Sequence, residues 1–185
     1  MKPAILFALL TGIIFAAGGP VPRNAPALNV QVDSKKGFLL SQFAGKTVVT
    51  AFFLTDCSHC EFTAGLLNKI QRDYGNSIQV VGSAIDEHAA TQLAAFQKKN
   101  AVIFPMGYNT LADAVKFLGY GPGAVPMPIV VFIDRNGVIR AQFDSSDKEM
   151  IEQDQEKNLR AALEQTIKQG QAAPRPSAPT EKKKP

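Results

Sequence analysis

The stretch TVVTAFFLTDCSHC, residues 47–60, decides the fold of this chain. Residues 47–54 are apolar or β-branched and uncharged, which is typical of a buried strand. Residues 61–74 then repeat apolar side chains at helical spacing. The two cysteines therefore fall at a turn from strand to helix. A helix N-terminus carries partial positive charge and unpaired N–H groups, and both favour a thiolate.

Cys57 and Cys60 are the only cysteines in the 185 residues. A single CxxC pair cannot supply the four ligands of a structural zinc site. A disulfide between them closes too small a loop to staple distant parts of a fold. We therefore predict that the pair cycles between dithiol and disulfide. Cys57, at the exposed start of the predicted helix, is expected to be the nucleophile, and Cys60, one turn further, to resolve the mixed disulfide.

The formal charge of +4 comes from the two ends of the chain. Lys2 and four basic residues beyond residue 169 are opposed there by one acidic residue, Glu181. Residues 3–169 hold 15 basic and 15 acidic side chains. A neutral body gives no electrostatic reason to predict a nucleic-acid partner.

The N-terminal segment has the pattern of an export signal. Lys2 precedes an uncharged, largely apolar run over residues 3–19, which ends in small residues where a signal peptidase would cut. The run is short for a membrane span, which needs roughly 20 residues, although an uncleaved anchor remains an alternative. Both interpretations predict a periplasmic or otherwise extracytoplasmic protein, secreted or N-terminally anchored, where a disulfide can persist.

Four segments follow from composition. Residues 1–19 are the predicted signal peptide or anchor, and residues 20–28 a proline-rich linker. Residues 29–169 form the predicted folded domain. Residues 170–185 are rich in Pro, Ala and Lys, and we expect them to be disordered.

Strands and helices alternate along the predicted domain. Besides residues 47–54, strands or extended pieces are expected at 29–32, 38–40, 78–84, 101–105, 129–133 and 138–143. The last two are joined by the turn Asp134-Arg135-Asn136-Gly137, which favours a hairpin. This order predicts an α/β domain of three layers, with a central mixed sheet flanked by helices.

Three further helices are expected, each with its own start signal. Asp86 can cap a helix whose Leu93, Ala94 and Phe96 face inward. Thr110 can cap the next one.

The last helix can open on a capping box formed by Ser146 and Glu149. Its apolar stripe consists of Leu159, Leu163 and Ile167.

The order of these elements resembles the thioredoxin fold, and more narrowly its exported TlpA/ResA-like branch. The motifs that carry the resemblance are FAGKTVV at 43–49, CSHC at 57–60, Tyr74-Gly75, VVG at 80–82 and MPIVVFIDRNG at 127–137. The resemblance covers roughly residues 29–167. It implies a thiol–disulfide oxidoreductase that acts on protein clients.

The resemblance also implies a substrate-binding strand. Pro128 matches the cis-proline that faces the disulfide in this family, and Pro126 is an alternative two residues earlier. Met127 would then pair through its backbone with an extended client segment during mixed-disulfide formation.

Several residues are expected to tune the reaction. Ser58 and His59 lie between the cysteines, and an imidazole there can stabilise the thiolate and so favour a more oxidising pair. Asp56 stands where the family usually has Trp, and its carboxylate opposes thiolate formation. Gly65 replaces a proline that is common in the first core helix, and Ala51 replaces the acidic residue of cytosolic thioredoxins.

The resemblance favours a reductant, because members of this branch commonly reduce client cysteines with electrons from a membrane thiol donor. It implies no cofactor and no metal, and we expect a monomer. The direction of electron flow, the reduction potential and the client stay open.

Two other functions use the same residues. Cys57, Cys60, His59 and His88 could hold a soft metal such as Cu(I), which would make the chain a copper-binding or copper-delivery module. Thr55, two residues before Cys57, matches one element of a peroxidase pattern whose other elements the sequence lacks. Asp86 and Glu87 could lie near the active site, although helix capping is the favoured interpretation.

Overall fold

The computed structural model describes residues 18–121 and 123–172 of the chain. The strands within these residues are β1 (Arg23–Asn24), β2 (Asn29–Gln31), β3 (Gly37–Leu39), β4 (Thr47–Phe53), β5 (Ile78–Ala84), β6 (Met106–Tyr108), β7 (Ile129–Ile133) and β8 (Val138–Phe143). The helices are α1 (Ser58–Tyr74), α2 (Ala89–Lys99), α3 (Leu111–Leu118) and α4 (Glu152–Ala172). Short 3-10 turns precede β4, β5 and α4.

One mixed sheet contains all of these strands, in the order β1-β8-β7-β4-β5-β6-β2-β3. β4 lies at its centre, parallel to β5 and antiparallel to β7. Every residue of β4 is buried, as a continuous apolar run predicts for a strand covered on both faces. The predicted three-layer α/β architecture with a mixed central sheet is confirmed.

The two faces of the sheet carry separate cores, because successive side chains of a strand point to opposite faces. Val49, Ala51 and Phe53 of β4 pack in the core that α1, α2 and α4 cover. Val48 and Phe52 pack in the other core, against α3. The helix that carries the CxxC motif and the last helix therefore share one face of the sheet.

Most predicted strands are confirmed to within a residue, but the prediction of an extended piece at residues 101–105 is wrong. The strand of this region is β6, which begins at Met106 and pairs in parallel with β5. Pro105 has no N–H to donate to a ladder, so only its carbonyl joins the sheet, by accepting from Gly82 N at 2.9 Å.

Among the described helices, α3 begins where the sequence predicts, whereas α1, α2 and α4 begin at other residues. α1 begins at Ser58, three residues early, because Cys57 caps it. Thr110 caps α3 as predicted, by accepting from Asp113 N at 3.1 Å.

The prediction of a capping box at Ser146 is wrong, because the Ser146 hydroxyl donates to the Asp144 carboxylate instead. α4 accordingly begins later, at Glu152. Of the residues expected to face inward from α2, Leu93 and Phe96 are buried but Ala94 is exposed.

The folded part of the chain starts earlier than the predicted linker allows. β1 pairs with β8, and Leu28 is only 4% exposed in the core against α3. The Arg23 guanidinium donates to Gly19 O at 3.0 Å, Leu118 O at 2.9 Å and Gln142 Oε1 at 2.6 Å. Residues 18–28 are therefore held on the domain by hydrogen bonds that the proline content of the segment does not predict.

The folded domain also extends slightly beyond its predicted C-terminal boundary at residue 169. α4 continues to Ala172, and Gly170 is buried beside Asp134. Residues 1–17 of the predicted signal peptide or anchor and residues 173–185 of the predicted tail lie outside the described residues. Among the described helices, none is both long and apolar enough to cross a bilayer.

Candidate active site

Cys57 and Cys60 form a disulfide at the N-terminus of α1, with their Cα atoms 5.2 Å apart. Cys57 is the N-cap residue, in extended conformation, and its Sγ accepts from Cys60 N at 3.1 Å. A cap residue lies where the first N–H groups of a helix lack partners within the helix. Any negative charge that develops on this sulfur is therefore stabilised by a backbone N–H and by the helix dipole.

The two sulfur-bearing residues differ in exposure. Cys57 is partly exposed, whereas Cys60 is completely buried in the core beneath α1. The Sγ of Cys60 also lies 3.5 Å from Leu54 N, at the end of the active-site strand. A partner can therefore approach Cys57 from solvent, while Cys60 is reached through Cys57.

The loop between β4 and α1 is held by Asp86, which follows β5. Its carboxylate accepts from Thr55 N at 2.8 Å and from Thr55 Oγ1 at 2.9 Å. It also accepts from His88 N at 3.1 Å, just before α2 begins. The prediction that Asp86 caps α2 is wrong, because His88 is the N-cap residue and no side chain caps the helix. The Asp86 side chain instead joins the approach to α2 to the loop beside the cysteines.

The Thr55 hydroxyl, the single element of a peroxidase pattern in the sequence, is bound on the side of the loop that faces α2. Its oxygen lies 2.9 Å from Asp86 Oδ1 and 2.8 Å from Gln92 Oε1. The hydroxyl therefore faces α2 and helps to fix the loop.

His59 is partly exposed and is bound by a side chain from α4. Its Nε2 lies 3.1 Å from Oε1 of Gln155, a residue with no exposed surface. Gln155 is not singled out by the sequence analysis. It stands four residues before Leu159 and so lies on the same apolar stripe of α4, and a polar residue at such a core position is the signal that indicates it.

Ser58 and Asp56 are both exposed beside the disulfide. Ser58 is the first residue of α1, and Asp56 precedes the cap residue. Glu61, in the first turn of α1, pairs with Lys99 of α2, which places a cation on the helix side of the site. This pair has one strongly exposed partner, and we assign it little energetic weight.

Met127 and Pro128 lie directly before β7. The Met127–Pro128 peptide bond is cis, as the family resemblance implies, and the other cis bond in the described ranges is Val21–Pro22. β7 runs antiparallel to β4 with Phe52 opposite Ile129. Continuing that register places Pro128 beside Phe53 and Met127 beside residue 54, three positions before the first cysteine.

His88 lies at the start of α2 with an exposed side chain. Within residues 18–121 and 123–172, no group of three or more His, Cys, Asp or Glu side chains is arranged to hold a metal ion. The four residues suggested as Cu(I) ligands, His88, His59 and the two cysteines, therefore do not form such a group within these residues.

Comparison with known proteins assigns the chain to a family. The model of the AhpC/TSA family matches residues 21–142, a range that includes β4, the CxxC motif, β7 and all of β8 except its last residue. The chain belongs to the AhpC/TSA family. Comparison with curated proteins gave no match.

Solved structures of thioredoxin-like proteins share the fold. A thioredoxin-family thiol:disulfide interchange protein from Chlorobium tepidum TLS is 23% identical, with a TM-score of 0.60 over 77% of this chain and 97% of that one. A DsbF homologue from Corynebacterium diphtheriae is 19% identical, with a TM-score of 0.62 over 76% and 87%. A secreted Mycobacterium tuberculosis disulfide oxidoreductase homologous to E. coli DsbE is 18% identical, with a TM-score of 0.56 over 72% and 95%.

Family, fold and chemistry agree. The AhpC/TSA match and the thioredoxin-like arrangement of strands surround a CxxC pair that is capped at a helix start and closed as a disulfide. The protein is a thioredoxin-like thiol–disulfide oxidoreductase. This confirms the fold and the reaction class that the sequence predicts.

Proposed function

We propose that this AhpC/TSA-family protein is exported and reduces disulfides of protein clients through Cys57 and Cys60. The observation that carries the proposal is the difference in exposure between the two sulfurs. Cys57 is accessible at the start of α1, and Cys60 is completely buried behind it. Such a pair allows one sulfur to meet a macromolecular disulfide and keeps the second for the intramolecular step.

The exchange proceeds in two balanced steps. The Cys57 thiolate attacks one sulfur of the client disulfide, that S–S bond breaks, and the second client sulfur leaves as a thiolate that takes a proton from water. The Cys60 thiol then loses its proton and attacks the Cys57 sulfur, which releases the first client sulfur. The client gains two electrons and two protons, and the protein ends with the Cys57–Cys60 disulfide.

The backbone around Met127 supports a docking role in the first step. Residue 127 precedes β7 at the end of the sheet where β4 leads into the CxxC loop. An extended client segment that pairs with Met127 and lies against Pro128 would bring its cysteine to Cys57 by β-augmentation. Ser58, exposed in the first turn, would border the same segment.

Export and recycling complete the proposal. The apolar segment 3–19 supports passage out of the cytosol as a signal peptide or an anchor. A reductant in an oxidising compartment must be returned to the dithiol, which requires two electrons. We propose that a thiol donor in the membrane supplies them. The exposed Asp56 carboxylate beside Cys57 supports a reducing poise, because it opposes the thiolate. We propose that the protein acts as a monomer.

The equilibrium reduction potential against glutathione tests the direction of the reaction. A value of about −250 mV or lower is expected of a reductant, since thioredoxin lies at about −270 mV. A value of about −150 mV would identify an oxidase or isomerase, because protein disulfide isomerase lies at about −180 mV and DsbA at about −120 mV. Failure of the pair to form a disulfide, together with tight stoichiometric binding of Cu(I), would replace the proposal with a copper-binding function.

A matched pair of variants tests the roles of the two cysteines. Cys60→Ser leaves the nucleophile and removes the resolving thiol, so it should accumulate mixed disulfides with client proteins. Cys57→Ser should accumulate none, although it too keeps a single thiol. Equal trapping by both variants would contradict the assignment. Export is tested with an alkaline phosphatase fusion, whose activity in cells should depend on residues 1–17.

A further inference from the structure

The imidazole of His59 is bound by a chain of buried side chains that crosses from α4 to α1. Gln155 Oε1 lies 3.1 Å from His59 Nε2, and Gln155 Nε2 donates to Thr63 Oγ1 at 2.9 Å. The Thr63 hydroxyl donates to the backbone carbonyl of His59 at 2.8 Å. Gln155 and Thr63 both have no exposed surface. The chain of hydrogen bonds therefore begins and ends on His59, one of the two residues between the cysteines.

The orientation of the Gln155 amide follows from its neighbours. A threonine hydroxyl has one hydrogen, and that of Thr63 is given to the His59 carbonyl, so Thr63 Oγ1 can only accept from Gln155. The remaining Gln155 N–H points at Met150 Sδ, 3.6 Å away, and a thioether sulfur cannot donate. The opposite amide orientation would leave the buried Oε1 facing two atoms that have no hydrogen to give. Gln155 therefore presents NH₂ to Thr63 and Met150, and its oxygen to His59.

A carbonyl oxygen facing Nε2 requires a hydrogen on that nitrogen. Neutral His59 must then be the Nε2–H tautomer, with its lone pair on Nδ1. We propose that Gln155 is a positioning residue of the redox site, which fixes the tautomer and orientation of His59 and leaves Nδ1 as the nitrogen that exchanges a proton beside the Cys57–Cys60 pair. No other described side chain forms a hydrogen bond with Nε2.

The consequence concerns the thiolate. When Nδ1 also binds a proton, the cationic ring lies two residues after Cys57 and directly before Cys60, and it stabilises a thiolate there. The Gln155 oxygen stabilises that cation, because a bond from a charged donor is stronger than one from a neutral donor. This role rests on the disulfide exchange proposed above, whereas the tautomer does not.

The first experiment reads the tautomer directly. Nitrogen-15 spectra of the wild-type protein labelled at histidine distinguish Nε2–H from Nδ1–H, and His59→Asn assigns the signals against those of His88. We expect neutral His59 to be protonated at Nε2. Protonation at Nδ1 overturns the proposal. This measurement needs no change at Gln155 and no client, so it also stands if the protein proves not to be a reductant.

The second experiment is a double-mutant cycle on the thiol–disulfide equilibrium with glutathione. In Gln155→Leu the ratio of reduced to oxidised protein should fall about fivefold, because the bond that Gln155 accepts from a cationic ring in the reduced protein is stronger than the bond from a neutral ring in the oxidised protein, by about the contribution of one ordinary hydrogen bond. In a His59→Ala background the same substitution should change the ratio less than about twofold. Gln153→Leu, at an exposed position of the same helix, is the matched control and should change nothing. An equal shift in both backgrounds, or no shift in either, overturns the proposal.

Discussion

The Asp86 carboxylate is the main tether of the loop that precedes the cysteines, and its removal gives a prediction with a calculable size. It accepts from Thr55 N, Thr55 Oγ1 and His88 N at 2.8, 2.9 and 3.1 Å. Bonds to a charged group contribute roughly 1.5–3 kcal/mol each at favourable sites. Asp86 is partly exposed, so we assign about 1 kcal/mol to each bond and expect Asp86→Ala to cost about 3 kcal/mol.

The assay is urea unfolding of the oxidised protein, with the disulfide intact so that a two-state analysis applies. The midpoint should fall with an unchanged m-value, which is the mark of a change in stability alone. The thermal midpoint should fall by about 6–12 °C, at roughly 2–4 °C for each kcal/mol in a chain of this size. Hydrogen exchange at the Thr55 amide should also accelerate, because that N–H loses its acceptor.

Two variants serve as controls. Glu87→Ala removes the same charge one residue away, from an exposed side chain, and should stay within about 0.5 kcal/mol of wild type. Asp86→Asn keeps one acceptor oxygen and should cost about 1–2 kcal/mol. If Asp86→Ala unfolds within about 0.5 kcal/mol of Glu87→Ala, the carboxylate does not tether the loop and the reasoning is wrong.

Three further predictions concern other parts of the fold. Arg23→Ala should cost about 2 kcal/mol in urea unfolding, because its guanidinium binds the last carbonyls of α3, whereas the exposed Arg72→Ala should cost no more than about 0.5 kcal/mol. Gly65→Ala should raise the free energy of unfolding by about 0.5–1 kcal/mol, because alanine suits a helix interior better and, beyond its chain neighbours and the backbone of its own helix, the added Cβ meets no atom within 4 Å. A loss of stability would contradict the packing of α1. Burial raises the pKa of the Asp147 carboxyl, so its charged form destabilises the fold once the pH rises through that pKa. Relative to wild type, Asp147→Asn should therefore gain stability between about pH 3 and pH 7. A difference in stability that does not change with pH would refute the assignment.

Local chemistry explains which elements could be predicted. β4, β5 and β7 are short apolar runs that a buried strand requires, and their predicted positions agree with the structure. The turn at 134–137 and the Thr110 cap depend on residues within a few positions of one another. The failed capping box at Ser146 shows the limit of such signals, because Asp144 competes for the same hydroxyl.

The sequence by itself determined the reaction class, since a single CxxC pair between an apolar run and a helical pattern leaves little chemistry other than disulfide exchange. The tertiary structure alone decided which side chains surround that pair. Asp86 reaches Thr55 across 31 positions, and Gln155 reaches His59 across 96. Spacing along a chain encodes contacts within one strand or helix, but a contact between elements exists only after the sheet order brings β5 beside β4 and sets α4 against α1.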